Sequence, residues 1–359
     1  MMDRCRAVQH NIRMSAPRIS LVVPSNRTAA ATIGRLLEWS DYDPARFELV
    51  VRDNSNDPRK REILERAAGP ALRLHCVASC DAVTNFIEAM RLATGDVRLW
   101  CSDDDRLFPH GLDALSRALS GHVPLVQGAR LVAFGAYFIE DSRASRVFRY
   151  PPLAGCSLQE RLTRFTATSS DVPKLFYSAL SGRLADQVVD FMTSLPCQLS
   201  FVDQTASLFY LLAGDVVQVD QVFHGYCMDH WDNPGTAMKQ DRLYYEVAGF
   251  DTGMDILHFL LIAMEGFMLL RSRLARSLTG QDLESCAAAW FLKHFAAFRA
   301  IDRSAGLSGR TADRATALRR SLIRERRIDS MAMLDSVAEV MAISNAPVAV
   351  RYREFWRTL

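Results

Sequence analysis

Apolar runs and amphipathic stretches alternate through the first third of the chain. Ile19-Ser-Leu-Val-Val23 is a short β-branched run closed by Pro24, the pattern of a buried strand. Ser25-Asn-Arg27 makes a turn, and Thr28 to Trp39 has helical spacing, with Ile33, Leu36 and Leu37 on one face. Asp41-Tyr-Asp-Pro44 is a loop by its turn residues. Phe47 to Arg52 reads as a second strand ending in Asp53-Asn-Ser-Asn-Asp57, and Pro58 sits in the first turn of a helix that runs to Ala68. Beyond Gly69-Pro70 come a third strand, Leu72 to Val77, a helix, Ala82 to Ala93, ended by Gly95, and a fourth strand, Val97 to Cys101. This alternation predicts an α/β fold, a mostly parallel sheet with helices on both faces. Ligands of such sheets bind beyond the carboxyl ends of the strands. Pro24 to Arg27, Asp53-Asn54 and Asp103 to Asp105 all fall there, so segments distant in sequence are expected to converge on one crevice.

A helix opens at Pro109 and runs to Leu119. A strand pair follows, Val123 to Gln127 and Ala129 to Ile139, then an irregular basic segment, Asp141 to Gly155. Helical patterns return at Ser157 to Phe165 and Leu180 to Met192. Phe201-Val-Asp203-Gln204 leads a helix to Ala213, and a strand, Asp215 to Val219, enters a polar loop, Phe223 to Gly235. From Gln240 onward everything reads as helix: Gln240 to Ser277, Gln281 to Ile301, Arg310 to Arg327, Asp329 to Ile343 and Ala349 to Thr358. The chain thus divides into a loose tail, residues 1–16, an α/β domain, residues 17–236, and a helical domain, residues 237–359.

Composition narrows the class without naming a chemistry. The 359 residues are 49% hydrophobic and 23% charged, as in ordinary soluble proteins, and the net charge of +2 is too balanced to point to nucleic acid. The eight cysteines form no C-x-x-C pair, which suits reduced, cytoplasmic usage. The first sixteen residues lack the apolar core of a secretory signal. The most apolar stretch, Ile256 to Leu270, contains His258 and Glu265 and falls short of the roughly 20 residues a membrane span needs.

The strongest chemical feature is the end of the fourth strand, Cys-Ser-Asp103-Asp104-Asp105-Arg-Leu-Phe-Pro. Three adjacent carboxylates repel one another unless a cation joins them. Mg²⁺ or Mn²⁺ is the usual partner, because hard cations take oxygen ligands and bridge phosphates. The alternative is a solvated acidic turn ahead of a helix.

With Ile-Ser-Leu-Val-Val-Pro-Ser-Asn-Arg, Phe-Glu-Leu-Val-Val-Arg-Asp-Asn-Ser-Asn-Asp, the stretch Thr84-Asn85 to Asp96, and the triplet in this order, the chain resembles the GT-A fold glycosyltransferases of the family-2 group, which use nucleotide-diphosphate sugars. The resemblance covers Arg18 to Gly235. It implies a Rossmann-like GT-A domain followed by a helical extension, a nucleotide-sugar donor, and a glycan or lipid-linked glycan acceptor. It places Pro24, Ser25, Asn26, Arg27, Asp53, Asn85 and Asp103 at the donor, with Asp53 accepting a hydrogen bond from the base. Asn26 stands where the family often has an aromatic residue. For Asp53, an Asx turn with Asn54 is the structural alternative.

In the family's D-x-D motif one aspartate lies near the ribose and one on the metal. Aligned on Pro109, those positions are Ser102 and Asp104; aligned on the triplet, they are Asp103 and Asp105. Asp104 is taken as metal ligand, Asp103 as ribose-facing, and Asp105 as second ligand or hydrogen-bond support. A later-loop histidine often completes the metal shell, and His230 is preferred to His224. Inverting members deprotonate the acceptor with a carboxylate at the start of a helix. Asp203 matches as general base, or else serves only as that helix's N-cap.

Two other readings are weaker. A nucleotidyltransferase would carry a Gly-rich basic loop after the first strand, and Pro24-Ser-Asn-Arg-Thr-Ala-Ala has no glycine. A degenerate scaffold that only binds glycans or partners would have little reason to keep three clustered carboxylates. No nucleic-acid signature is present. The arginines of Arg310 to Arg327, interleaved with Leu318, Leu322 and Ile323, could lie on an anionic membrane at the inner face, although without tryptophan a solvated arginine face is favoured.

Overall fold

All seven residues of Ile19–Ser25 (β1) are buried, as a strand covered on both sides must be. Leu21 and Val23 join one apolar cluster and Val22 the other, the two-residue period of a strand dividing two cores. The structure is a computed structural model that describes residues 16–121, 130–140, 144–168, 174–196, 204–228, 245–246, 249–250, 258–302 and 330–358. The expected strand at Val123 to Gln127, and with it Asp203, His230 and Arg310 to Arg327, lies outside the described residues.

The parallel half of the sheet is built from the first four expected strands. β1 lies between Phe47–Asp53 (β2) and Val97–Trp100 (β4), and β2 carries Leu72–Cys76 (β3) on its outer side. The connecting helices are Ala30–Ser40 (α1), Pro58–Ala67 (α2) and Ala82–Leu92 (α3). Asp57 caps α2 by accepting hydrogen bonds from the backbone of Arg59 and Lys60, with Pro58 in the first turn. Asp81 caps α3 in the same way through Thr84.

Beyond β4 the sheet becomes mixed. Arg106–Leu107 (β5) precedes the helix Pro109–Ser120 (α4), and Leu131–Glu140 (β6) precedes Ser145–Phe148 (β7). The helix Leu158–Ala167 (α5), the strand Ala179–Ser181 (β8) and the helices Gly182–Ser194 (α6) and Ala206–Ala213 (α7) come next, and Asp215–Cys227 (β9) ends the sheet. The order among the described residues is β3-β2-β1-β4-β8-β6-β9-β5, with β7 on the far part of β6.

Three expectations need correction. The basic segment read as irregular contains β7, a four-residue strand that is mostly exposed, too short to show a period, and ordered by pairing with β6. Leu180 lies in β8, a strand of three residues too short to show a period, and the helix begins at Gly182. The strand read as ending at Val219 continues to Cys227, because β6 and β5 pair with its second half. Exposed Asp220 and Gln221 hide that continuity, and they sit where the β6–β9 register shifts. Gly135 fits there because a Cβ would approach Gln221 O to 2.3 Å.

Among the described residues the α-helices after β9 are His258–Arg271 (α8), Gly280–Asp302 (α9) and Ser330–Thr358 (α10), the last broken at Asn345 ahead of Pro347. Every residue from Leu260 to Leu270 in α8 is buried. That explains its all-round hydrophobicity as core. Among the described residues no helix is long and apolar enough to cross a membrane. Side chains from all three helices join the cluster under α3, α6 and α7, so the helical extension and one face of the sheet share a core.

Candidate functional site

Ser25 lies opposite Asp53 in the β1–β2 register, and Val22 lies opposite Trp100 across β1 and β4. The turns after the three strands therefore meet at one sheet edge, as the topology requires. The join is made by Asp103, which is 1% exposed. Its Oδ2 accepts hydrogen bonds from Ser25 Oγ at 2.7 Å, Asn26 N at 3.2 Å and Arg27 N at 3.1 Å, and Arg27 Nη1 contacts its Oδ1. A carboxylate accepts several donors at once, so one side chain fixes the whole turn after β1.

Arg27 supplies the cation that the triplet demands. Its guanidinium spans Asp103 and Asp104, with Nη2 2.9 Å from Asp104 Oδ2 and Nη1 3.5 Å from Ser102 Oγ. These contacts use both Nη1 hydrogens and one on Nη2, leaving Nε–H and the second Nη2–H on a side chain that is 34% exposed. Burial works against this cation, but the charges of Asp103 and Asp104 outweigh it and hold its pKa above the ordinary value. Arg35 Nη1 donates to the Asp104 carbonyl at 2.6 Å.

The other two aspartates differ. Asp104 is partly open; burial pushes its carboxyl up, Asp105 adds to that, and Arg27 and the Ser102 hydroxyl only partly offset it. Asp105 is buried and tied inward. Its Oδ2 accepts from Ser102 N at 3.1 Å and its Oδ1 from Cys227 N at 3.3 Å. His224 Nε2 approaches Asp105 Oδ2 to 3.0 Å without the alignment of a hydrogen bond. His224 is thus a buried residue of β9 stacked on Tyr177 at 4.6 Å, and not a loop residue.

These contacts bear on the expected metal. Among the described residues no three His, Cys, Asp or Glu side chains are placed to hold an ion. Asp103 and Asp105 spend their oxygens on the fold, so the triplet does not form a ready cage. Of the three, Asp104 is the partly exposed carboxylate, and so the one that could meet a hard cation whose other ligands come from elsewhere.

Asp53, 3% exposed, is held by a residue with no sequence signal. Lys60 Nζ, on a side chain with no exposure at all, lies 2.7 Å from Asp53 Oδ1 and donates at 2.7 Å to Ser25 Oγ. Ser55 donates to both Asp53 oxygens, so the Asx-type turn is present as well. In the run Pro-Arg-Lys-Arg-Glu, Lys60 looks like its solvated neighbours; only its place one helical turn inward of the Asp57 cap sets it apart. Asp53, Asn56, Asp57, Arg61 and Cys76 line a cleft of about 350 Å³ beside this pair.

Asn85 stands behind that wall. Its Oδ1 accepts from Arg52 at 2.5 Å and its Nδ2 donates to Asn54 Oδ1 at 3.3 Å, so it braces the turn after β2 from α3. Pro24 is buried within β1, and Asn26 is exposed, joined to Asp103 through its backbone.

No protein-family model matches the chain, and no curated protein matches it in sequence. Solved structures do match. S. aureus TarS 1–349 superposes with a TM-score of 0.54 at 15% identity, over 95% of this chain and 91% of that one. The same protein in complex with UDP-GlcNAc gives 0.53 at 14% identity, over 95% and 92%. A longer TarS structure gives 0.51 at 13% identity, over 95% of this chain and 54% of the other. This chain has a GT-A fold with a helical C-terminal extension. Within that fold, the edge where Asp53, Asp103 and Asp104 gather is the carboxyl edge of the parallel strands.

Proposed function

We propose that this protein is a glycosyltransferase that moves a sugar from a nucleoside-diphosphate sugar to a glycan or lipid-linked glycan, with inversion. The observation that carries the reading is the convergence of Asp53, Arg27 and Asp104 at one sheet edge of a GT-A fold. The UDP-GlcNAc complex of TarS supports a UDP-sugar donor.

Asp53 beside the cleft accepts the imide N–H of the base, since a carboxylate is acceptor-only. Arg27 offers its two unused N–H groups to the diphosphate. Asp104 is the carboxylate that would hold Mn²⁺ or Mg²⁺ arriving with the donor, whose charge offsets that growing on the leaving diphosphate. Asp203 takes the proton from the acceptor hydroxyl. That oxygen bonds to the anomeric carbon on the face opposite the diphosphate, the bond to the diphosphate oxygen breaks, and the nucleoside diphosphate leaves.

The deciding experiment incubates the full chain with a panel of nucleotide sugars and Mn²⁺, and follows release of nucleoside diphosphate. Release from one donor class, lost in Asp53→Ala, is the expected result. A protein that binds and turns over none of them is a non-catalytic scaffold.

A further inference from the structure

We infer that Lys60 is the specificity-determining residue of the base site: it keeps Asp53 an acceptor-only carboxylate, and so restricts the donor to bases that present a ring N–H. The inference rests on the nucleotide-sugar reading and names the part of the donor that this chain selects.

A lysine ammonium is among the groups least often found without exposure, because leaving water is expensive unless the charge is paired and its hydrogens are used. Lys60 meets that condition at one place, with Asp53 Oδ1 and Ser25 Oγ both at 2.7 Å. Ser25 then donates to Asp103 Oδ2 at 2.7 Å, and Asp103 holds the backbone of Asn26 and Arg27. A single directed chain of hydrogen bonds thus runs from the base side of the crevice to its phosphate side, with Lys60 at its head. The other ionisable groups on the cleft wall are Asp57, the cap of α2, Arg61 from α2 and Cys76 from β3. Burial, with the Asp53 charge added, raises the Cys76 thiol pKa.

The consequence is chemical. An ionised carboxylate accepts hydrogen bonds and rejects a ring-nitrogen lone pair; a protonated one can also donate, and accepts either partner. Take away Lys60 and the buried Asp53 is left uncompensated, the condition in which a carboxyl group takes up a proton. Uracil and thymine present an imide N–H at the ring position where cytosine presents a lone pair. The Lys60–Asp53 pair therefore selects the first and refuses the second.

Calorimetry with UDP and CDP on the full chain tests this, using wild type, Lys60→Met and Lys60→Gln. Wild type is expected to prefer UDP by about tenfold or more, and Lys60→Met to bring the two within about threefold, mainly by gaining affinity for CDP. A merely structural loss would weaken both nucleotides alike and leave their ratio unchanged. Should Lys60→Met fail to fold, Lys60→Gln retains an N–H donor without the charge. Lys60→Gln with Asp53→Asn, an uncharged pair needing no compensation, must likewise show no preference. A folded variant without the lysine charge that retains the wild-type ratio overturns the inference and leaves the glycosyltransferase reading standing. Equal binding of UDP and CDP by wild type also overturns it. Wild type that binds no nucleoside diphosphate overturns both.

Discussion

Arg27 and Asp104 show how one side chain alters the meaning of its neighbours. A triplet of aspartates looks like a metal cage only while nothing else compensates it, and here a guanidinium bridges two of the three. Lysine carries the same charge on one nitrogen and lacks the planar fork that sets separate nitrogens on two carboxylates. Arg27→Lys should therefore behave as a loss, weakening nucleoside-diphosphate affinity by about tenfold in calorimetry, as expected for removing a hydrogen bond to a charged group. Affinity equal to wild type would show that only the charge matters. Asp104→Asn is expected to keep the melting temperature, because that carboxylate is partly exposed and braces nothing but Ser102 and Arg27. It should lower turnover by about 10²-fold or more and abolish the gain in nucleotide affinity on adding Mn²⁺. An unchanged Mn²⁺ effect in the variant would place the cation elsewhere.

At the scale of elements, legibility depended on whether a segment's own pattern determined it. The β1, β2, β3 and β4 strands are buried on both faces and announce themselves as apolar runs, and the Asp57-Pro58 start of α2 is a local signal. The site turns at their ends were legible for the same reason. What was not legible is whatever depends on a partner distant in sequence. β7 and the second half of β9 exist because β6 pairs with them, and His224 and Lys60 are buried because other elements cover them. Glu48 in β2 makes the same point at the opposite sheet edge. Burial pushes its carboxyl up, but hydrogen bonds from Ser20 and Thr94 and the charge of Arg18 together hold it below the usual range. The stabilisation is present above the unfolded value near pH 4.3 and disappears as pH falls toward the lower folded value. Glu48→Gln should flatten the acid limb of a stability-against-pH curve below about pH 4.3, and lower stability at neutral pH. An acid limb as steep as wild type would assign the loss to other carboxylates. Asp203, just ahead of α7, belongs to this scale too. Asp203→Asn should reduce turnover by about 10²–10⁴-fold while nucleotide affinity stays put, as befits a base that faces the acceptor. A fall in affinity at constant rate would make it an N-cap or a donor contact.

The sequence divides the molecule into an α/β domain and a helical domain, yet the packing does not respect that division. Trp290 of α9 stacks on Phe165 of α5 at 6.4 Å, and Phe355 of α10 meets Phe191 of α6 at 5.9 Å. Lys293 donates to the Thr168 carbonyl at 3.3 Å, and Gln159 to Asp282 at 2.8 Å. Within the extension, α8 and α9 approach so closely at Gly266 that a Cβ would lie 1.9 Å from the Trp290 indole nitrogen, which donates to Ile262 O at 3.1 Å. Side chains of α8 to α10 belong to the same apolar cluster as Val22, Val50 and Trp100 of the sheet. One shared core implies one cooperative unit. The full chain should therefore melt in a single calorimetric transition. Gly266→Ala should lower its midpoint by overpacking the α8–α9 contact, at a cost of about 1–3 kcal/mol. A chain stopped after Met228 should fail to fold, because the α5, α6 and α7 faces that Trp290 and Phe355 cover would meet water. A soluble fragment with a sharp melt and full-length nucleotide affinity, or two separate transitions in the intact protein, would mean that the extension is a domain in its own right.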